Sequence, residues 1–155
     1  MIRMIAAVSS NGVIGLNGKL PFMYKSDMTH FRKSTSNSTV IMGRKTFESL
    51  PGVLKNRDNF IISKTLTDVN GCKVYPDIQS ALDQAIGDIW FIGGEQIYRQ
   101  AMDYVGEIWL TITPDVITGD DITYFPWINP HKFKIYESGY LNINENLLLY
   151  KYVKV

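Results

Sequence analysis

Short apolar runs that alternate with helical segments constrain the fold of this chain more than any other feature. Strand-length apolar runs lie at residues 1–8, 39–42, 59–63, 72–75, 88–92 and 107–113. Several segments between them have helical spacing, as at residues 78–86, where the apolar residues fall on one side. Strands that alternate with helices predict a parallel sheet covered by helices on both faces.

The pattern changes after Pro126. Two strand-like runs, at residues 133–138 and 147–155, flank a polar segment at 142–146 that is typical of a hairpin turn. We therefore predict an α/β fold with three α-β-α layers, a mixed, mainly parallel central sheet and an antiparallel C-terminal hairpin. A length of 155 residues predicts a single domain over residues 1–155.

Composition argues against several classes of protein. A net charge of +1 gives no electrostatic footprint for nucleic acid. The single cysteine, Cys72, allows no internal disulfide and no thiolate metal site. Arg3 interrupts the first apolar run, and no signal peptide or membrane-length apolar stretch follows. We expect a cytoplasmic protein without metal, membrane or nucleic-acid partners, and nothing in the sequence requires more than a monomer.

Asp27 is a carboxylate where an apolar side chain would be expected. Ser26 is the predicted N-cap of a short helix, on which Asp27 and Phe31 are four residues apart and share a face. The acid then points toward an apolar surface, and an unpaired buried carboxylate is costly enough to need a partner. A ligand with cationic or N–H donor groups would be one. The alternative is a first-turn acid that interacts only with the helix dipole.

Two strand–glycine–helix junctions, at residues 41–46 and 91–96, place free backbone N–H groups at the start of a helix. Such junctions favour phosphates and could hold the two ends of a dinucleotide, although ordinary helix-start turns are an alternative and neither matches G-x-G-x-x-G. Arg44, Lys45 and Lys64 could bind an extra phosphate, as on NADPH, or could be solvated basic residues. His30 and His131 show no metal spacing, and we expect them on the outer side of a helix and in a loop.

Together these residues resemble the dihydrofolate reductase family in its bacterial and phage form. The resemblance covers nearly the whole chain and rests on the order and spacing of several short stretches. They are Ile5-Ala6-Ala7, Val13-Ile14-Gly15, Leu20-Pro21, Asp27 with Phe31, the run at 40–49, Arg57 with Asn59, and Ile92-Gly93-Gly94.

The resemblance implies reduction of 7,8-dihydrofolate by NADPH, with hydride transfer to C6 and protonation of N5. Asp27 would bind the pterin and promote that protonation, supported by Thr111, while Leu20 and Phe22 would complete the catalytic set. Arg57 would pair with the glutamate tail of the substrate. The other implied substrate residues are Ile5, Ala6, Met28, Phe31, Leu50 and Leu54. The implied cofactor residues are Ala7, Ile14, Gly15, Asn17, Gly18, Gly43, Arg44, Lys45, Thr46, Ser63, Lys64, Ile92, Gly93, Gly94, Glu95, Gln96, Ile97 and Tyr98.

Three departures from the family pattern stand out. Phe22 replaces the usual Trp and lacks its N–H. The usual Gly-Asp-Thr-x-Phe-Pro is two residues longer here, at 119–126, which alters the loop that normally braces the lid over the nicotinamide. Gln96 replaces a frequent basic residue, which leaves Lys64 to grip the extra phosphate.

Three functions remain open at this point. The first is an NADPH-dependent dihydrofolate reductase that antifolates would inhibit. The second is a reductase of the same fold that acts on a riboflavin-pathway pyrimidine, although Arg57 would then have no glutamate tail to bind. The third is a catalytically weak, reductase-like protein kept for binding or assembly.

Overall fold

The computed structural model describes all 155 residues, and the alternating segments form the predicted α/β architecture. The strands are β1 (Ile2–Val8), β2 (Val13–Leu16), β3 (Thr39–Gly43), β4 (Asp58–Ile62), β5 (Lys73–Tyr75), β6 (Ile89–Gly93), β7 (Glu107–Ile112), β8 (Ile122–Tyr124), β9 (Phe133–Asn142) and β10 (Leu147–Lys154). The helices are α1 (Lys25–Thr35), α2 (Arg44–Ser49), α3 (Ile78–Gln84) and α4 (Glu95–Ala101). No helix is long and apolar enough to cross a membrane.

The main sheet has eight strands in the order β5-β4-β3-β6-β1-β7-β10-β9. Every pair from β5 to β7 is parallel, whereas β10 is antiparallel to both β7 and β9. The mixed sheet with an antiparallel C-terminal hairpin is therefore confirmed. A second, two-stranded sheet of β2 and β8 was not predicted from the sequence.

Two apolar clusters cover the two faces of the main sheet. On one face, residues of α3 and α4 such as Ile78 and Ile97 pack with Met4 and Phe91 of the central strands. On the other face, Phe31 of α1 and Phe47 of α2 pack against a cluster centred on β1, β3, β4 and β6. Successive strand residues point to opposite faces, so both sides of the buried strands must be apolar. This explains the continuous apolar runs of the sequence.

Two local predictions were wrong. Helix α1 begins at Lys25 with Tyr24 in the N-cap position and no side-chain cap. Ser26 therefore lies inside the first turn, where its hydroxyl donates to Glu145. His30 is not on the outer side of α1: it is half-buried and stacks on Trp109 at 6.0 Å between ring centroids. Burial and the charge of Lys151 lower the pKa of His30. His131 lies in a turn, as predicted.

Candidate active site

Asp27 lies in the first turn of α1 and is largely removed from water. Burial and, to a smaller extent, the nearby negative charge of Glu145 raise the pKa of its carboxyl group to about 6. None of the ion pairs in the structure includes Asp27. The acid is therefore removed from water, as predicted, and no cation of its own chain forms an ion pair with it.

Thr111 faces Asp27 from β7, where it is paired with Ala7 of β1 on one side and Leu149 of β10 on the other. Its hydroxyl lowers the pKa of Asp27, yet no hydrogen bond of ordinary geometry joins the two side chains. Oγ1 of Thr111 is buried and has no other partner. A buried hydroxyl without a partner costs stability, so Asp27 and Thr111 together form a polar site that lacks a third group.

The apolar residues predicted to line the substrate pocket are mostly brought together. Ile5 belongs to the cluster on the α1 face of the sheet, and Phe31, Leu50 and Leu54 pack against that same cluster. Leu50 lies just beyond the last residue of α2. Met28 is exposed on α1. Ala6 is an exception, because its side chain belongs to the cluster on the opposite face. This follows from the alternation of side chains along a strand.

Arg57 lies beside this apolar group, with its guanidinium 6.0 Å from the centroid of the Phe31 ring. Nη1 donates to the Thr35 hydroxyl at 2.9 Å, and Nε donates to the Lys55 carbonyl at 2.9 Å. Burial and the neighbouring Arg32 lower the pKa of Arg57. No carboxylate of the chain pairs with it. A guanidinium that is oriented but lacks an anion suits a carboxylate ligand.

The two strand–glycine–helix junctions lie side by side at the carboxyl ends of β3 and β6. A β-carbon at Gly43 would lie 3.3 Å from Cγ1 of Ile97 and 3.9 Å from the backbone of Gly93 and Gly94. A β-carbon at Gly94 would lie 3.4 Å from Oγ1 of Thr46, at the other junction. The peptide bond between Gly93 and Gly94 is cis. Glycines at these positions keep the backbone open where the two junctions meet.

Some residues predicted at the second junction are part of the core. Ile97 is buried, and the buried Tyr98 donates its hydroxyl to the carbonyl of Ile5 at 2.8 Å. Burial and the charge of Asp27 raise the pKa of Tyr98 well above its usual value. Gly93 has φ 114°, and a β-carbon there would lie 3.1 Å from the Tyr98 ring. Tyr98 thus connects the junction to β1. Ile92 is buried as well, whereas Gln96 is exposed.

The basic residues near the junctions differ in their pairing. Arg44 forms an exposed ion pair with Glu48 at 3.8 Å, one turn along α2. Lys45 and Lys64 are exposed and form no ion pair. The Ser63 hydroxyl accepts from the backbone N–H of Leu66 at 3.1 Å and so shapes the turn after β4. The unpaired lysines are the groups that an anionic ligand could use.

The predicted lid is a short hairpin. Leu16 and Lys19 exchange backbone hydrogen bonds of 2.8 and 3.1 Å around Asn17 and Gly18. These two residues have φ 51° and 77°, as a tight two-residue turn requires. Ile14 and Gly15 lie in β2, which leads into this hairpin. Leu20 is exposed beyond it, and the Phe22 ring lies 6.3 Å from that of Tyr24.

The lengthened loop at 119–126 still braces the lid. Its residues Ile122–Tyr124 form β8, which pairs with β2. The backbone N–H of Asn17 donates to the Asp121 carbonyl at 2.8 Å. A β-carbon at Gly119 would lie 2.6 Å from Cδ1 of Leu16, so the loop approaches the lid closely. The pairing has a register shift between Val13 and Gly15, where β2 carries one more residue than β8.

The sequence analysis did not predict the contacts of three residues near the site, Tyr24, Asp115 and Glu145. Tyr24, at the end of the lid, donates its hydroxyl to Asp115 at 2.6 Å, and this bond raises its pKa to about 12. Glu145, in the turn between β9 and β10, accepts from Ser26 beside Asp27. These contacts join segments that lie 91 and 119 residues apart. Their sequence carries no periodicity or motif that would have revealed them.

Comparisons with known proteins identify the family of this chain. The family model described as dihydrofolate reductase matches residues 1–154. Dihydrofolate reductase of Bacillus subtilis is 33% identical over 141 residues, which cover 89% of this chain and 83% of that protein. The enzyme of Haemophilus influenzae is 31% identical over 144 residues, covering 92% and 89%. The enzyme of Staphylococcus aureus is 31% identical over 137 residues, covering 88% and 82%. This chain belongs to the dihydrofolate reductase family.

Proposed function

We propose that this member of the family reduces 7,8-dihydrofolate to 5,6,7,8-tetrahydrofolate with NADPH and so supplies one-carbon metabolism and thymidylate synthesis. The observation that carries the proposal is that the Asp27 carboxyl group is buried without a cation and that the neighbouring Thr111 hydroxyl is buried without a hydrogen-bond partner. A pterin ring has amino and ring N–H groups that lie side by side, and a carboxylate and a hydroxyl can accept hydrogen bonds from them. The oriented Arg57 would then take the tail carboxylate.

A nicotinamide dinucleotide fits the adjoining surface. The opposed glycines at 43, 93 and 94 leave open backbone at the ends of β3 and β6, where phosphates bind in α/β sheets. NADPH, when bound, supplies the hydride that passes to C6 of the pterin. Lys45 and Lys64, which have no carboxylate partner, support NADPH over NADH because they can bind its extra phosphate. Thr46 and Ser63 would add hydroxyl donors to this end.

Asp27 has a proton to give near neutral pH. A carboxyl group with a pKa of about 6 is partly protonated in the range where most enzymes work. We assign to it two tasks, which are to hold the pterin by its N–H groups and to promote protonation of N5. Thr111, buried opposite the carboxyl group, would share the N–H donors of the ligand with it. The rate of hydride transfer should therefore fall as the pH rises above the pKa of Asp27.

The lid excludes water from the reacting atoms. Ala7 and Ile14 flank the start of this region, and the Asn17–Gly18 turn carries Leu20 over it. Phe22 contributes apolar surface only, since it has no N–H to hold a water molecule. The remaining proposed contacts follow the family pattern, with Met28, Leu50 and Leu54 on the substrate and Ile92, Glu95 and Gln96 near the cofactor.

The decisive experiment measures NADPH oxidation with and without dihydrofolate, for the wild type, Asp27→Asn and the exposed control Asp103→Asn. Dihydrofolate-dependent oxidation that falls sharply in Asp27→Asn, with NADPH affinity nearly intact and the control unchanged, supports the proposal. A wild type that binds NADPH without turnover would contradict it and favour the reductase-like binding protein. Equal losses of turnover and NADPH affinity would show that Asp27 supports the fold instead.

We further propose that the chain is one domain that acts as a monomer in the cytoplasm. Cys72, its only cysteine, is a free thiol, which suits a reducing compartment. Antifolates should inhibit it, because diaminopyrimidine rings present the same N–H donors to Asp27 as the pterin does. The pyrimidine-reductase alternative leaves Arg57 without a partner, so we do not favour it.

A further inference from the structure

The turn between β9 and β10 is fixed against the first turn of α1. The Ser26 hydroxyl donates to Oε1 of Glu145, and the backbone N–H of Glu145 donates to Oδ1 of Asn142 at 3.0 Å. Asn146 has φ 57°, which completes the turn. Glu145 is therefore held through both its side chain and its backbone, although the turn lies 119 residues from Ser26 in sequence.

This arrangement brings a second carboxylate to the first turn of α1, where Asp27 directly follows Ser26. Two other polar groups interact with Asp27, and both are neutral. The Thr111 hydroxyl of β7 lowers the pKa of Asp27, and the charge of Asp27 raises the pKa of Tyr98 in α4. Asp115 faces the same region through Tyr24. No ion pair neutralises Asp27 or Glu145. A fixed negative charge in such surroundings favours the protonated form of a neighbouring carboxyl group.

We propose that Glu145 is a positioning residue for the proton step, because its fixed negative charge keeps Asp27 protonated over more of the neutral range. The inference rests on the role of Asp27 in the proposed function. Ser26 contributes to this role because its hydroxyl holds the Glu145 carboxylate beside α1 and does not cap the helix. A purely structural role for Glu145, as an anchor of the hairpin, would leave the titration of Asp27 unchanged.

The test follows the Asp27 carboxyl carbon by ¹³C NMR in ligand-free protein labelled at aspartate, with the signal assigned by its absence in Asp27→Asn. In Glu145→Gln, which keeps an oxygen to accept from Ser26, the titration midpoint should fall by roughly half a unit. Glu137→Gln removes an exposed charge that is paired with Lys151, so it is the matched control and should leave the midpoint in place. An unchanged midpoint in Glu145→Gln would overturn the proposal.

Two further measurements cover the remaining outcomes. High salt should lower the midpoint of the wild type but not that of Glu145→Gln, because screening weakens only the charge interaction. The salt dependence of the wild-type midpoint can be measured without a variant, so the proposal can be tested even if Glu145→Gln does not fold. A wild-type midpoint that does not depend on salt would contradict the proposal. Above the midpoint, single-turnover hydride transfer should be about threefold slower in Glu145→Gln. A wild type without turnover would overturn the proposed function, whereas the NMR titration would still report the charge coupling.

Discussion

The Asp27 carboxyl group lowers the stability of the ligand-free protein whenever it is ionised. Its pKa rises from 3.8 to about 6 on folding, so the folded state binds the proton more tightly than the unfolded state does. The stabilisation of the folded state by this tighter proton binding is fully present below pH 4 and is lost as the pH rises through 6. A shift of this size corresponds to about 2–3 kcal/mol. The proposed binding site for N–H donors would thus lower the stability of the protein until a ligand binds.

Asp27→Asn should therefore stabilise the ligand-free protein at pH 8, because it removes the buried charge. We expect the free energy of unfolding to rise by about 1–2 kcal/mol at pH 8 and to change little at pH 4, where the wild-type carboxyl is largely protonated. Urea unfolding at both pH values measures this. A gain of equal size at both values would mean that the charge of Asp27 is not its cause.

Arg57 should act on the substrate and not on the fold. Arg57→Leu removes the guanidinium that lacks a carboxylate partner, so we expect KM for dihydrofolate to rise tenfold or more, about 1.4 kcal/mol or above, with a small change in kcat. Arg57→Lys keeps the charge but loses the planar fork, and it should give an intermediate KM. Steady-state kinetics with a thermal unfolding check decide this. An unchanged KM in Arg57→Leu would remove Arg57 from the tail site.

At the level of elements, the lid is a tight turn braced by a strand. Asn17 and Gly18 have positive φ and are the only residues between the paired Leu16 and Lys19. Because β8 holds β2 from the other side, the geometry of this turn decides where the rest of the lid lies. Nothing lies within 4 Å of a β-carbon built at Gly18, so only the backbone conformation limits substitution there.

Gly18→Ala should loosen the lid. An L-residue at this φ costs about 1–2 kcal/mol, and we expect NADPH affinity to fall severalfold. Gly18→Asn should fall between Ala and wild type, since Asn tolerates positive φ. Gly52→Ala is the control, because that glycine has neither a positive φ nor a close neighbour. Equal NADPH dissociation constants for Gly18→Ala and Gly52→Ala, measured by fluorescence titration, would contradict the role of the turn.

The elements also show where sequence reasoning succeeds. The strands β1, β3, β4, β6 and β7 were predicted because they are buried on both faces and read as continuous apolar runs. The strands β2 and β8 were missed because they have four and three residues, are mostly half-buried and pair across a long stretch of sequence. The N-cap of α1 was misplaced because the helix begins earlier, at Lys25, with Tyr24 in the N-cap position and no capping side chain. Ser26 instead donates to Glu145, a contact that no local pattern reveals.

In the whole molecule, the proposed substrate and cofactor surfaces share the central strands. Ile5 lines the substrate side, while the carbonyl of the same residue accepts from Tyr98 beside the glycine junction. Asp27 and the glycine junctions were predicted from local patterns, and Arg57 was predicted from the resemblance to the family. The relation between them depends on the strand order, in which β1 lies between β6 and β7, and on contacts such as that of Glu145. These depend on distant segments and were accessible only from the structure.

Ligand binding should stabilise the molecule additively at its two surfaces. A ligand present at 100 times its dissociation constant adds about 2.7 kcal/mol to the free energy of unfolding. We expect NADPH and folate each to raise the unfolding temperature of the wild type. In Asp27→Asn the increment from folate should shrink and that from NADPH should persist. Loss of both increments in differential scanning fluorimetry would mean that the two surfaces do not act separately.

The placement of the tryptophans gives the protein built-in optical probes. Trp90 and Trp109 lie 5.0 Å apart at 73°, close enough for their electronic transitions to couple, whereas Trp127 is 75% exposed. Trp127→Phe should remove the long-wavelength emission and leave a circular dichroism couplet from the buried Trp90 and the half-buried Trp109. Because His30 of α1 stacks on Trp109, this couplet should change in shape and amplitude when α1 detaches from the sheet and uncovers that ring. The spectrum would then report the seating of the helix that carries the acid.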